Sequence, residues 1–179
     1  MKKRQLLLEA ISYSAEVHEG QTRKNGKTPY ASHSFRVSMI LRDIFGIEDE
    51  EMLSAAVLHD VIEDTTKDFD DIEKNFSLKV AYWVAGLSKD KRQREDKREE
   101  DYFRQLSDAT DEVKLIKLAD IYDNLMDSVT AGDAVVAKIL KKTDKYLDNF
   151  SGVENDDVLK AMELVRELKE EMEEVRDEN

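Results

Sequence analysis

One histidine and three acids close the apolar run Leu53-Ser54-Ala55-Ala56-Val57-Leu58-His59-Asp60-Val61-Ile62-Glu63-Asp64. Four ionisable groups at the end of a core-type helix repel one another and lose hydration unless positive charge holds them, and a divalent cation is the usual solution. His33, one of only three histidines, lies upstream near the start of another apolar-patterned segment. Asp120 lies downstream in Lys117-Leu118-Ala119-Asp120-Ile121-Tyr122-Asp123-Asn124-Leu125, where its apolar neighbours predict burial. A buried helical carboxylate needs a partner, and an ion shared by two imidazoles and two carboxylates supplies one. His33, His59, Asp60 and Asp120 are therefore expected to form a metal site. The mixed nitrogen and oxygen set suits manganese, iron or zinc better than calcium, without choosing among them. On a continuing helix Glu63 lies one turn beyond His59 and Asp64 one turn beyond Asp60, so both acids point at the open side of such a site. Acids at a helix C-terminus oppose the dipole, which favours a chemical over a structural use for them.

The elements that position these residues are helices. Apolar residues recur at helical spacing nearly throughout, and strand-like alternation is hard to find. The fold class is all-α, and the single proline, Pro29, fits long helices. Helices are expected over 4–18, 32–45, 49–63, 68–76, 78–87, 99–107, 110–129, 132–150 and 155–176. The stretch Glu19 to Tyr30, with glycine and proline breakers and the basic Arg23, Lys24 and Lys27, is the clearest loop and the first place to look for an anion contact. The charged stretch 89–98 reads as a solvated, mobile loop. His18 ends the first helix, where an imidazole suits capping, and is left out of the metal set.

The 179 residues suit one domain, residues 1–179, with a sizeable core. A net charge of -13 opposes binding to nucleic-acid polymers or anionic membranes but leaves room for a small phosphorylated ligand in a locally positive pocket. The absence of cysteine excludes disulfides and thiolate zinc sites and points to the cytoplasm. The apolar run after the basic start breaks at Glu9, short of a signal-peptide core, and no stretch is long enough to span a bilayer. Nothing in the sequence selects an oligomeric state.

The order His33, His59-Asp60, Asp120 resembles the metal set of the HD-domain phosphohydrolase superfamily. The likeness narrows to the hydrolase domain of the RelA/SpoT alarmone enzymes and their stand-alone small hydrolases, the metazoan SpoT homologue among them. It is carried by Gln21-Thr22-Arg23-Lys24-Asn25-Gly26-Lys27-Thr28-Pro29-Tyr30-Ala31-Ser32-His33, by Ala55-Ala56-Val57-Leu58-His59-Asp60-Val61-Ile62-Glu63-Asp64-Thr65, and by Val113-Lys114-Leu115-Ile116-Lys117-Leu118-Ala119-Asp120 with Asn124, within residues 5–150. The resemblance implies a compact multi-helix bundle whose metal, typically manganese, is held by His33, His59, Asp60 and Asp120. Glu63 and Asp64 then orient or deprotonate the attacking water. Arg23 lies against a nucleotide base, where a guanidinium plane stacks, and Lys24 lies near phosphate as a point charge. Asn124 falls near the sugar or the metal ligands, and Tyr146 on a helix that closes the pocket.

The implied activity is hydrolysis of guanosine 3′-diphosphate 5′-(di/tri)phosphate to GDP or GTP plus pyrophosphate. Alternatives are a phosphatase acting on NADPH or another nucleotide, and an inactive nucleotide sensor that retains the metal. The chain departs from the family pattern at Ser34, usually proline, at Ile121, usually basic, and at Asp123, usually histidine or tyrosine. The first bears on the start of a helix and the other two on the substrate.

Overall fold

The computed structural model describes residues 5–129 and 131–177; residues 1–4, and with them the first residue of the helix expected over 4–18, lie outside the described residues. The all-α expectation holds: the described residues form helices, with one isolated antiparallel bridge between Thr22 and Pro29 and no strand.

Helix α3 (Glu50–Leu58) is the central element. Asp49 caps it by accepting the Met52 N–H at 2.8 Å, and two glutamates in its first turn suit the dipole. Met52 through Leu58 are all buried, as befits a helix apolar on every side. Helices α1 (Leu6–Val17), α2 (Ala31–Met39) and α6 (Leu78–Leu87) pack around it. Helix α8 (Asp111–Ser128) lies against α2, α3 and α6 and is covered by α9 (Asp133–Asn149) and α10 (Asp156–Asp177). The short α5 (Phe69–Asn75), started by the capping box of Asp68 and Asp71, packs on α6.

The structure corrects the sequence reading in three places. The helix expected over 49–63 is interrupted: α3 stops at Leu58, and a four-residue helix α4 (Val61–Asp64) follows. His59 turns its ring back so that Nδ1 meets the Ala56 carbonyl at 2.8 Å, and Asp60 takes φ −100° and ψ −1° before α4 begins. Adjacent residues of an unbroken helix do not face one another. The break is what brings His59 Nε2 within 2.9 Å of Asp60 Oδ2.

The segment expected over 32–45 runs as α2 to Met39 and then widens into a π turn, Ile40–Ile44, with the Phe45 N–H bonding the Ile40 carbonyl at 3.0 Å. The wide turn keeps Ile40 and Leu41 in the core as the chain leaves the helix. Finally, the charged stretch is not all loop. Helix α7 begins at Glu95 and runs to Ser107, four residues ahead of the expected start. Within it only Tyr102 and Leu106 are buried, so apolar periodicity never reaches its first turn.

Candidate active site

The site is built where the α3–α4 break meets α2 and α8. His33, two residues into α2, is buried. Its Nδ1 lies 2.6 Å from Asp123 Oδ2, and its Nε2 lies 3.2 Å from Asp120 Oδ1 and 3.7 Å from Asp60 Oδ2. His59 ties Nδ1 to the Ala56 carbonyl and turns Nε2 toward Asp60 Oδ2 at 2.9 Å and Asp120 Oδ1 at 3.8 Å. Both Nδ1 atoms therefore face acceptors, an arrangement that keeps a proton on Nδ1 and turns each Nε2 to the centre, where its lone pair serves an ion that takes the place of the Nε2 proton. His33, His59 and Asp60 offer ligand atoms all within 4.8 Å of one another, and Asp120 adds its Oδ1 from α8.

These residues fit a divalent cation. The His59 Nε2 is buried without a hydrogen-bond partner even though a carboxylate oxygen stands beside it, an arrangement that an ion between them resolves. The field points the same way. Burial works to lower the pKa of His33, yet its hydrogen bonds to Asp120 and Asp123 push it up to about 9. Burial likewise opposes ionisation of Asp120, and the charge of Lys117 overrules it and holds the carboxyl well below its ordinary range. The centre favours positive charge, and its nitrogen and oxygen donors suit a first-row transition ion.

All ten residues singled out in the sequence line one cleft of about 370 Å³: His33, His59, Asp60 and Asp120 at the centre, with Glu63, Asp64, Arg23, Lys24, Asn124 and Tyr146 around it. Glu63 and Asp64 reach the cleft from α4, and both are held from the loop ahead of α7. The Lys89 backbone N–H donates to Glu63 Oε2 at 3.0 Å, and Lys91 Nζ pairs with Asp64 Oδ1. The stretch read as a solvated loop thus fixes both acids. Burial raises the Glu63 pKa, against the opposing Lys89 hydrogen bond.

Arg23 stands in a turn that Gly26 permits with φ 68° and that Asn25 Oδ1 braces by accepting the Lys27 and Thr28 N–H groups, each at 2.9 Å. Its guanidinium bonds Asp127 Oδ2 at 2.9 Å and Asn124 Oδ1 at 3.1 Å and lies 5.8 Å from the Tyr30 ring centre, so its plane is set before any ligand arrives. Asn124 Nδ2 donates in turn to Asp120 Oδ1 at 2.6 Å. Tyr146 is buried on α9, its ring 4.9 Å from that of Phe103, with Lys117 Nζ 4.9 Å from its centre. His18 stays outside the centre; its Nδ1 lies 2.9 Å from Gln21 Oε1, and Gln21 Nε2 donates to the Asp64 carbonyl.

Three residues escaped the sequence reading. The Tyr30 hydroxyl donates to Asp60 Oδ2 at 2.5 Å and shares its proton with Asp64 Oδ2 at the longer 3.2 Å, linking the centre to the acids. Lys117 puts a buried ammonium 2.7 Å from Asp120 Oδ2. Its spacing of i to i+3 on one helix was the available signal. Asp123, read as a departure bearing on the substrate, is fully buried behind His33.

A model of the HD domain matches residues 10–152. The chain belongs to the HD-domain family. Among its HD relatives, a Drosophila melanogaster protein named guanosine-3′,5′-bis(diphosphate) 3′-pyrophosphohydrolase MESH1 is 40% identical over 121 residues, covering 67% of this chain and 68% of the relative. The Homo sapiens protein of the same name is 38% identical over 122 residues, covering 68% of each. The bifunctional (p)ppGpp synthase/hydrolase SpoT of Escherichia coli is 40% identical over 125 residues, 66% of this chain and 17% of the longer SpoT chain. A solved HD structure, described as a metazoan ortholog of SpoT that hydrolyzes ppGpp and plays a role in starvation responses, superposes with a TM-score of 0.79 at 32% identity, covering 93% of this chain and 97% of the other. No helix among the described residues is long and apolar enough to cross a membrane.

Proposed function

We propose that this protein is a metal-dependent pyrophosphohydrolase that removes the 3′-diphosphate of guanosine 3′,5′-bis(diphosphate), leaving GDP and pyrophosphate, or GTP when the 5′ group is a triphosphate. The observation that carries the reading is the convergence of two imidazoles, two carboxylates and the acids Glu63 and Asp64 on one cleft that Lys89, Lys117 and Lys142 also line. The relatives named for this activity support it.

In this reading one domain carries the chemistry, and His33, His59, Asp60 and Asp120 hold the ion, manganese before iron or zinc. When bound, the ion supplies Lewis acidity to a water molecule and positive charge to phosphate oxygens. Glu63 and Asp64 orient that water and take its proton as its oxygen attacks the phosphorus bonded to O3′. The P–O3′ bond breaks, and O3′ ends as a hydroxyl. Lys89, Lys117 and Lys142 also line the cleft and offset the charge of the departing diphosphate. Arg23 receives the base, Lys24 offsets charge on the remaining phosphates, and Tyr146 closes the cleft. The partner is a small nucleotide, and the lack of cysteine supports cytoplasmic residence.

The test is to incubate the purified protein with guanosine 3′,5′-bis(diphosphate) and Mn(II) and to separate the products by anion exchange, with NADPH in parallel. GDP and pyrophosphate in equal amounts are expected. Orthophosphate without pyrophosphate, or turnover of NADPH alone, refutes the assignment.

A further inference from the structure

We infer that Asp123, clamped by Arg36, is a positioning residue that holds the His33 ring in the orientation and tautomer needed to ligate the ion. Four observations lead there. Asp123 is fully buried, and its Oδ2 stands 2.6 Å from His33 Nδ1. The Arg36 Nε lies 2.6 Å from Asp123 Oδ1, without the alignment of a hydrogen bond, so charge is what holds this oxygen. Arg36 sits three residues beyond His33 on α2, and Asp123 three residues beyond Asp120 on α8, so one cross-helix pair sits directly behind one pair of ligands. Arg36 also reaches Asp127 Oδ1 at 3.5 Å, and Asp127 in turn holds Arg23.

A carboxylate behind a ligand imidazole fixes the Nδ1–H tautomer and raises the basicity of the opposite nitrogen, and loss of such a partner typically weakens metal binding by about 10- to 100-fold. His33 satisfies one oxygen of the buried Asp123 carboxylate and leaves the other, Oδ1, without a hydrogen-bond partner. The guanidinium of Arg36, half-exposed at 39%, supplies the balancing charge. The same position, where the chain departs from the family pattern, thus serves the ion rather than the nucleotide.

This inference rests on the metal set and not on the substrate, and it is tested with Mn(II) alone on the intact chain, by EPR titration of free aqueous Mn(II). Arg36→Gln is the deciding variant. If Arg36 acted only through its charge, removing a cation near the centre would tighten Mn(II) binding. If it positions Asp123, binding weakens, by about three- to tenfold, less than the roughly 10- to 100-fold of a direct ligand partner because Arg36 stands one step further back, behind Asp123. Asp123→Asn, whose amide can donate to Nδ1 and force the wrong tautomer, weakens it by about 10- to 100-fold. The double variant is no weaker than Asp123→Asn, because both act through one carboxylate. Equal or tighter Mn(II) binding by folded Arg36→Gln overturns the inference, even if Asp123→Asn fails to fold. Failure of the parent chain to bind Mn(II) overturns the metal set itself, whereas a different nucleotide substrate touches neither.

Discussion

Lys117→Met separates the stability of the centre from its affinity for an ion. Lys117 and Asp120 form an ion pair of 2.7 Å with side chains 11% and 10% exposed. Burial works to lower the Lys117 pKa, and the Asp120 charge reverses this and holds it well above its ordinary value, so the ammonium stays charged in a dry place. Methionine keeps the length of the stem against Tyr102 and Tyr146 and removes only the charge. Breaking a buried pair by deleting one partner costs about 3–5 kcal/mol. Asp120 retains the Asn124 amide at 2.6 Å and His33 Nε2 at 3.2 Å, which places the cost at the lower end. A loss of about 3 kcal/mol lowers Tm by about 6–12 °C for a chain of this size. The ion has the opposite response, because removing a cation beside a ligand carboxylate deepens the field that holds it. A ligand at a thousandfold excess over its Kd stabilises by about 4.1 kcal/mol, enough to offset the loss. Thermal unfolding followed by circular dichroism, in EDTA and in Mn(II), reads both terms. The expected pattern is a lower Tm in EDTA and a larger Mn(II)-induced rise than in the parent. An unchanged Tm in EDTA, or a Mn(II) response no larger than the parent's, refutes the reasoning.

Glu63→Gln is expected to lower kcat by about 10²- to 10⁴-fold while leaving Mn(II) affinity near that of the parent, since it removes a base and not a ligand. Because burial raises the Glu63 pKa, its base form is lost as pH falls through a value above the ordinary glutamate range, so the acid limb of the kcat profile should lie there and vanish in Glu63→Gln. A limb that persists in the variant assigns it to another group. Tyr30→Phe deletes the hydroxyl that bonds Asp60 and Asp64 while its ring stays against His18 and His33. A hydrogen bond to a charged group is worth about 1.5–3 kcal/mol, so steady-state assays should show kcat/KM falling by at least about tenfold with the fold intact. Leu58→Ala, at a fully buried position one residue before His59, should cost about 2–5 kcal/mol in urea unfolding. A smaller loss would mean that the end of α3 can collapse around the vacancy.

The amino-acid sequence by itself determined the helical class and pointed to the four residues, and the acids beside them, that the fold brings to one cleft. Those features are local or compositional: apolar period, a costly cluster of ionisable groups on one segment, and single polar residues in apolar company. Tertiary structure decided how the cluster is used. No period in the sequence marks the stop of α3 at Leu58, because His59 and Asp60 remain compatible with a helix until the His59 ring takes the Ala56 carbonyl. The partners of Glu63 and Asp64 come from residues 26 and 27 positions later, and the partner of His33 from 90 positions later. Such pairings join charges whose types are visible in the sequence but whose separations are set by how α2, α4, α8 and the loop before α7 pack. That is why Asp123 looks in sequence like a change of substrate contact, and why in the folded chain it stands behind His33.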